Sequence, residues 1–175
     1  MKSHTIIFRR LLAFAMSVLL CAGLLLLLLS GCAGQDTRPV CTCTVSISCQ
    51  TALDNFDRCK EEKQALLPEN GWILQPTEVT CHEGDSAFDV LAQVCREQKI
   101  QLESSWTPLY DSAYIEGINN LYEFDVGQGS GWMYQVNGRF PNCACSDYTV
   151  QPGDVLCWVY TCDYGEDVGG SAAGD

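Results

Sequence analysis

Residues 129–142 read GSGWMYQVNGRFPN, and the fold turns on what its glycines are for. A phosphate-cradling loop needs G-x-G-x-x-G or G-x-x-x-x-G-K-[ST] followed by a helix, whose N-terminus supplies the amides that hold the anion. Here Gly127, Gly129 and Gly131 come two apart, which fits neither pattern. Trp132, Tyr134 and Val136 then alternate with Met133, Gln135 and Asn137, the period of two that marks a strand. Asn137-Gly138 is the strongest short signal for a type I′ turn, so the stretch reads as a flexible glycine-rich entry into a β-hairpin.

Moving outward, Gln151-Pro152-Gly153-Asp154 places proline and glycine at the centre of a type II turn. Residues 155–161, VLCWVYT, follow as a strand apolar on both faces and hence central in its sheet. Upstream, residues 121–126, LYEFDV, alternate as a short strand. Residues 84–99 form the clearest helix: Ser86 and Asp89 resemble a capping box, and Phe88, Leu91, Ala92 and Cys95 make one buried face. Residues 72–80 are extended, with Pro76 favouring a sheet edge. In residues 41–50, CTCTVSISCQ, strict alternation puts Cys43, Val45, Ile47 and Cys49 on one face and Thr42, Thr44, Ser46 and Ser48 on the other. The order strand, strand, helix, several strands predicts a single α+β domain, one main helix on a mixed or mostly antiparallel sheet.

The N-terminus carries Lys2, Arg9 and Arg10 before an apolar run that ends Leu29-Ser30-Gly31-Cys32. This is the layout of an export signal with a bacterial lipobox, in which small residues admit the peptidase and Cys32 takes the lipid. The competing reading is an uncleaved transmembrane helix, since residues 11–29 nearly span a bilayer. Either one places the rest of the chain outside the cytoplasm, anchored to the bacterial cell membrane. The expected layout is a signal peptide over 1–31, lipidated Cys32 and a stalk over 32–42, one domain over 43–167, and a loose acidic tail over 168–175. Acyl chains contribute about 0.8 kcal/mol per buried methylene, enough for a firm tether when several are attached.

Of 10 Lys and Arg, the signal holds 3 and none of the 22 Asp and Glu, so the processed chain has a formal charge of 7 − 22 = −15. That surface repels nucleic acid and anionic headgroups, leaving the lipid as the membrane contact. Of 12 cysteines, Cys21 leaves with the signal and Cys32 is lipidated. The remaining 12 − 2 = 10 are Cys41, Cys43, Cys49, Cys59, Cys81, Cys95, Cys143, Cys145, Cys157 and Cys162. An even number in an exported chain reads as a disulfide framework whose connectivity spacing does not give. Metal binding is the rival, but Cys41-Thr42-Cys43 and Cys143-Ala144-Cys145 lack the usual C-x2-C zinc spacing, so no metal site is assigned.

The runs SISCQTALDN, GDSAFDVLAQVCRE, YEFDVGQGSGWMYQVNGRFPN and SDYTVQPGDVLCWVYTCDYG resemble the transcobalamin-like C-terminal domain family, a bacterial domain of unknown function (4430). The resemblance covers about residues 43–167. It implies a β-grasp-like fold on a surface protein; in the vertebrate carriers the related domain covers one side of cobalamin. Carried over to this sequence, residues 132–136 and the loop before Ser146, Asp147 and Tyr148 would lie nearest a corrin. The ligand-binding candidates are therefore Trp132, Tyr134, Gln135, Phe140, Asp147 and Tyr148, for cobalamin or a similar nutrient. Trp158 is the member of the aromatic cluster expected in the core.

The alternative is a surface module that contacts adhesion or transport proteins through its sheet edges. No catalytic residue is assigned, and an enzyme is not expected. His82 is the only histidine after the signal, and neighbouring Cys81 would point the opposite way in a strand. Asp147, Asp154 and Asp163 sit in turn-like contexts where aspartate bonds its own backbone rather than a cation.

Overall fold

The computed structural model describes residues 38–109 and 111–170. The signal segment, Cys32, most of the stalk and the last five residues of the tail lie outside the described residues. The described residues fall in one compact unit that begins at Arg38.

Strand β1 (Val40–Ser48) carries the alternation seen in the sequence: Cys43, Val45 and Ile47 are buried, as is Cys49 just beyond it. Short helices α1 (Gln50–Asp54) and α2 (Glu61–Gln64) lead to β2 (Trp72–His82), which pairs antiparallel with β1. Strand β2 lies at the edge of its sheet, where Pro76 removes no ladder bond that a neighbour needs. Strands β6 (Gly131–Val136) and β7 (Val155–Thr161) complete a four-stranded sheet of order β2-β1-β7-β6. Strand β7 is central as expected, parallel to β1 and antiparallel to β6.

Helix α3 (Ala87–Gln98) begins with the expected capping box. The Asp89 amide donates to Ser86 Oγ at 3.1 Å, and the Ser86 amide to the Asp89 carboxylate at 2.9 Å. Its buried face is rotated from the expected one. Ala87, Val90, Leu91, Val94 and Cys95 are buried, whereas Phe88 and Ala92 are half-buried. The cause is a tether at the first turn, where the Ala87 and Phe88 amides donate to the carbonyls of Tyr148 and Cys145. The buried residues of α3 join Val45, Ile47, Leu156 and Trp158 in one apolar cluster.

Two further features depart from the sequence reading. Strands β3 (Leu102–Thr107), β4 (Ser112–Ile118) and β5 (Leu121–Tyr122) form a second, three-stranded sheet rather than extending the first. Ala113, Ile115, Ile118 and Leu121 turn toward the common core. Asn137 and Gly138 do take the left-handed conformations of a type I′ turn, at φ 52° and 76°. The strand after it shrinks to a single bridge between Val136 and Arg139, because β6 takes β7 as its partner. Finally, residues 165–170, which lead into the expected tail, are held by hydrogen bonds. The Asp167 carboxylate accepts from the Thr161 hydroxyl and from the Cys162 amide at 2.7 Å, and the Gly170 amide donates to the Gly165 carbonyl at 2.8 Å.

No two sulfurs among the described residues lie at bonding distance. Cys41 and Cys81 come closest to it, 2.9 Å apart on directly opposed positions of β1 and β2. Among the described residues no helix is long and apolar enough to cross a membrane.

Candidate functional site

The six residues singled out in the sequence are divided by the structure. Trp132 and Tyr134 lie on β6 and wall a depression of about 330 Å³ between β6 and β4. Phe140 and Tyr148 line another, of about 590 Å³, beyond the Asn137-Gly138 turn. Gln135 donates its side-chain amide to the Val168 carbonyl at 3.4 Å, and Asp147 is exposed in a turn where its own amide donates to Ala144. Asp154 is a scaffold: buried, it accepts from Asn137 Nδ2 at 2.8 Å, the Tyr148 hydroxyl at 2.9 Å and the Gln151 amide at 2.9 Å.

The strand aromatics are largely committed to packing. Trp132 is only 9% exposed, donates its indole N–H to the Leu121 carbonyl at 2.8 Å, and meets Tyr160 edge-on at 5.1 Å. Tyr134 stacks on buried Trp158 with centroids 6.0 Å apart and donates its hydroxyl to the Cys143 carbonyl at 2.8 Å. Burial, then the contact with Cys143, push the Tyr134 ionisation upward, so the hydroxyl is a fixed neutral donor.

The open aromatic surface is elsewhere, in two turns that meet at the glycine-rich loop. A cleft of about 370 Å³ adjoins the first depression across Tyr114, Trp132 and Met133, so Trp132 walls both, and Phe124, Tyr164, Gly129 and Gly131 are among its other walls. Phe124 is 50% exposed and Tyr164 66%. Both hold left-handed backbone conformations, φ 64° and 50°, which for a bulky side chain cost of order 1–3 kcal/mol and persist only where neighbours impose them.

Those neighbours are identifiable. Next to Phe124, the buried Asp125 carboxylate accepts from Lys60 Nζ and the Tyr122 amide, each at 2.8 Å, with Lys63 Nζ 3.5 Å away. Ser130, also buried, accepts at its hydroxyl from the Val126 amide at 3.1 Å and donates to the Gly127 carbonyl at 2.8 Å. The Tyr160 hydroxyl closes the set, donating to the Tyr122 carbonyl at 2.6 Å with Ser130 Oγ 3.0 Å away. The glycine-rich loop is thus laced to buried groups, contrary to its reading as a flexible entry.

Tyr164 is placed in the same way. Thr161 Oγ1 accepts from the Asp163 and Gly165 amides on either side of it, and the Tyr164 amide donates to the Gly129 carbonyl at 2.9 Å. Its ring lies so close over Gly129 that a Cβ there would stand 2.9 Å from it, which is why this position takes glycine.

Tyr114 forms the third wall, 46% exposed, donating its hydroxyl to Glu123 at 2.5 Å. Partial burial of the phenol, then the Glu123 carboxylate, push its ionisation up to about 12. No Lys or Arg is among the walls of the cleft, and Glu123 is its carboxylate, so the surface suits flat neutral or cationic groups rather than anions. Among the described residues no group of three or more His, Cys, Asp or Glu is placed to hold a metal ion. Sequence periodicity missed Tyr114, Phe124 and Tyr164. The signal that marks two of them is local: each turn sets an aromatic beside an aspartate and close to glycine, in Phe124-Asp125 and in Asp163-Tyr164-Gly165.

Residues 84–162, which hold α3, both sheets except β1 and β2, and most of the cleft, match the family described as a domain of unknown function (DUF4430). Two solved structures are similar to the chain. Haptocorrin, crystallised in complex with Cbi, superposes with a TM-score of 0.52 at 14% identity, over 72% of this chain and 26% of haptocorrin's. At that identity the likeness is one of fold, and this chain spans only about a quarter of haptocorrin's length. A protein of Ruminococcus gnavus ATCC 29149, to which metal binding has been ascribed, aligns at a TM-score of 0.38 and 12% identity, over 69% of this chain and 95% of its own. No curated protein matches the chain.

Proposed function

We propose that this chain is a non-enzymatic ligand-binding module, exported and held at the bacterial cell surface by lipid on Cys32, whose aromatic cleft takes a flat ring system. A corrinoid such as cobalamin is the specific candidate. One observation carries the reading: Phe124 and Tyr164 are exposed large aromatics in strained left-handed turns, both fixed against the same glycine loop. Exposing apolar rings at a cost in backbone strain is what a clamp requires and what a core does not. The fold likeness to haptocorrin, a protein seen with Cbi, supports the choice of ligand class. A sheet whose central strands β1 and β7 run parallel, under one main helix, supports the β-grasp-like description. Export through the lipobox would place the ten cysteines where disulfides form.

Titration of the full chain with cobalamin tests it, followed by tryptophan fluorescence corrected for ligand absorbance and by calorimetry. Saturable binding with Kd below about 100 μM, a free energy of about −5.5 kcal/mol or better, is expected. Absence of a saturable signal at that concentration ends the corrinoid reading. A second reading, contact with a surface or transport protein, is favoured by β3, an edge strand on which Trp106 is 55% exposed. Stoichiometric retention of a protein from solubilised membranes, equal with and without cobalamin, would select it.

A further inference from the structure

At the end of the molecule where β1 and β2 begin and end, three cysteines converge without serving the cleft. Cys41 and Cys81 are directly opposed in the antiparallel register, and their sulfurs lie 2.9 Å apart. Cys43 shares their face and also contacts the Cys81 thiol, but its register partner is Val79, so it meets Cys81 only diagonally. Directly opposed strand residues have Cα atoms about 4.5–5.5 Å apart, inside the range a disulfide spans. Diagonal neighbours stand about 7–8 Å apart, outside it.

Access differs as sharply as register. Cys81 and Cys43 are buried, at 0% and 2% exposure. Cys41 is half-buried and lines a cavity of about 390 Å³ with Pro39, Val40, Gly84, Val150 and Pro152. An outside sulfur can therefore reach Cys41 and not its two neighbours.

We infer that Cys41 and Cys81 are a thiol–disulfide exchange site, with Cys41 the sulfur that receives an incoming disulfide through this cavity, Cys81 the one that resolves it, and Cys43 a bystander. The donor is a small disulfide, for which oxidised glutathione is the probe. Ionised Cys41 attacks one donor sulfur, breaking the donor S–S bond, releasing one glutathione thiolate and leaving a Cys41–glutathione mixed disulfide. Cys81 then gives up its proton to the released glutathione thiolate as it attacks the Cys41 sulfur, forms the Cys41–Cys81 bond and expels the second thiolate. Two electrons pass from the cysteine pair to the donor, and the two cysteine protons end on two glutathione thiols. Burial and the two adjacent sulfurs hold Cys81 protonated, consistent with its acting second.

The inference rests on the oxidising compartment proposed above only for its setting, because the test supplies its own disulfide. The reduced full chain is treated with oxidised glutathione, quenched in acid, alkylated with N-ethylmaleimide in denaturant, and mapped without reduction by fragmentation that locates linked sulfurs. A Cys41–Cys81 link with alkylated Cys43 is expected. Alkylated Cys81, or Cys81 linked to any other cysteine, overturns the pairing. In Cys81→Ser, glutathione should accumulate on Cys41; if that variant folds, shown by its circular dichroism, and Cys41 carries none, the order of attack is wrong. Either result leaves the cleft's ligand reading untouched.

Discussion

The protein uses two sets of aromatic side chains in opposite ways. The strand set, Trp132, Tyr134, Trp158 and Tyr160, alternates with period two and packs inward, with the polar atoms of Trp132, Tyr134 and Tyr160 donating to backbone carbonyls. The turn set, Phe124 and Tyr164, is exposed and occupies backbone conformations a bulky residue otherwise avoids, and Phe124 does so although the alternation of residues 121–126 predicts a strand there, which in the structure ends at Tyr122. A periodic pattern locates the residues that hold the scaffold, whereas rings held out at a conformational cost mark the surface it presents.

The comparison can be broken most forcefully by pH, because the packed interior holds buried thiols and the exposed rings of the cleft do not depend on them. Burial pushes Cys49, Cys145 and Cys162 up to about 11 and Cys95 to about 12. In the unfolded chain a thiol ionises near about 8.5. The raised folded values mean that the stability linked to these protons is complete below about pH 8.5 and is lost as pH rises toward 11. Under reducing conditions the urea midpoint should fall steeply across that window. A flat profile would show that the buried thiols are not what the fold depends on; cysteines bonded as disulfides are removed from the titration, so the oxidised protein should fall less.

Next in size is Trp132→Ala, which separates the two sets directly. Emptying a buried indole site and orphaning the Leu121 carbonyl should cost about 3–5 kcal/mol, read as a fall in unfolding free energy. A loss below about 1 kcal/mol would move Trp132 into the exposed set. Asp125→Asn should cost about 1–3 kcal/mol, since it removes a buried charge-assisted acceptor of Lys60. It should weaken ligand binding as well, because this carboxylate fixes the turn that raises Phe124. Unchanged binding with lowered stability would detach the anchor from the site.

Much of the scaffold was legible because its signals are local. The alternation of Cys43, Val45, Ile47 and Cys49, the Ser86–Asp89 capping box, the Asn137-Gly138 and Pro152-Gly153 turns, and the central place of β7 all follow from neighbours a few residues apart. The second sheet was not legible, since β3, β4 and β5 look like any short extended pieces until their pairing is known. The cleft was hidden for a stronger reason. Phe124 is set by Asp125, Asp125 is held by Lys60 at a sequence separation of 65, and Tyr164 is placed by Gly129. The resemblance to the transcobalamin-like family led to β6, whose Trp132 walls both the depression and the cleft, but no spacing rule leads from β6 to the two turns that complete the cleft.

The smallest effect on stability is the most informative about function. In Phe124→Gly the ring is lost, but half of it faced solvent, so little burial is forfeited. Glycine adopts φ near 64° without the Cβ clash, which relieves a strain of order 1–3 kcal/mol, offset by about 0.5–1 kcal/mol of extra chain entropy in the unfolded state. Stability should therefore hold steady or rise by up to about 1 kcal/mol. Ligand affinity should fall about tenfold, the equivalent of about 1.4 kcal/mol, because one jaw of the cleft is gone. Opposite signs for stability and binding are the mark of a residue kept in strain for what it contacts; a drop in stability with unchanged affinity would return Phe124 to the packing and leave Tyr164 and Tyr114 alone at the opening.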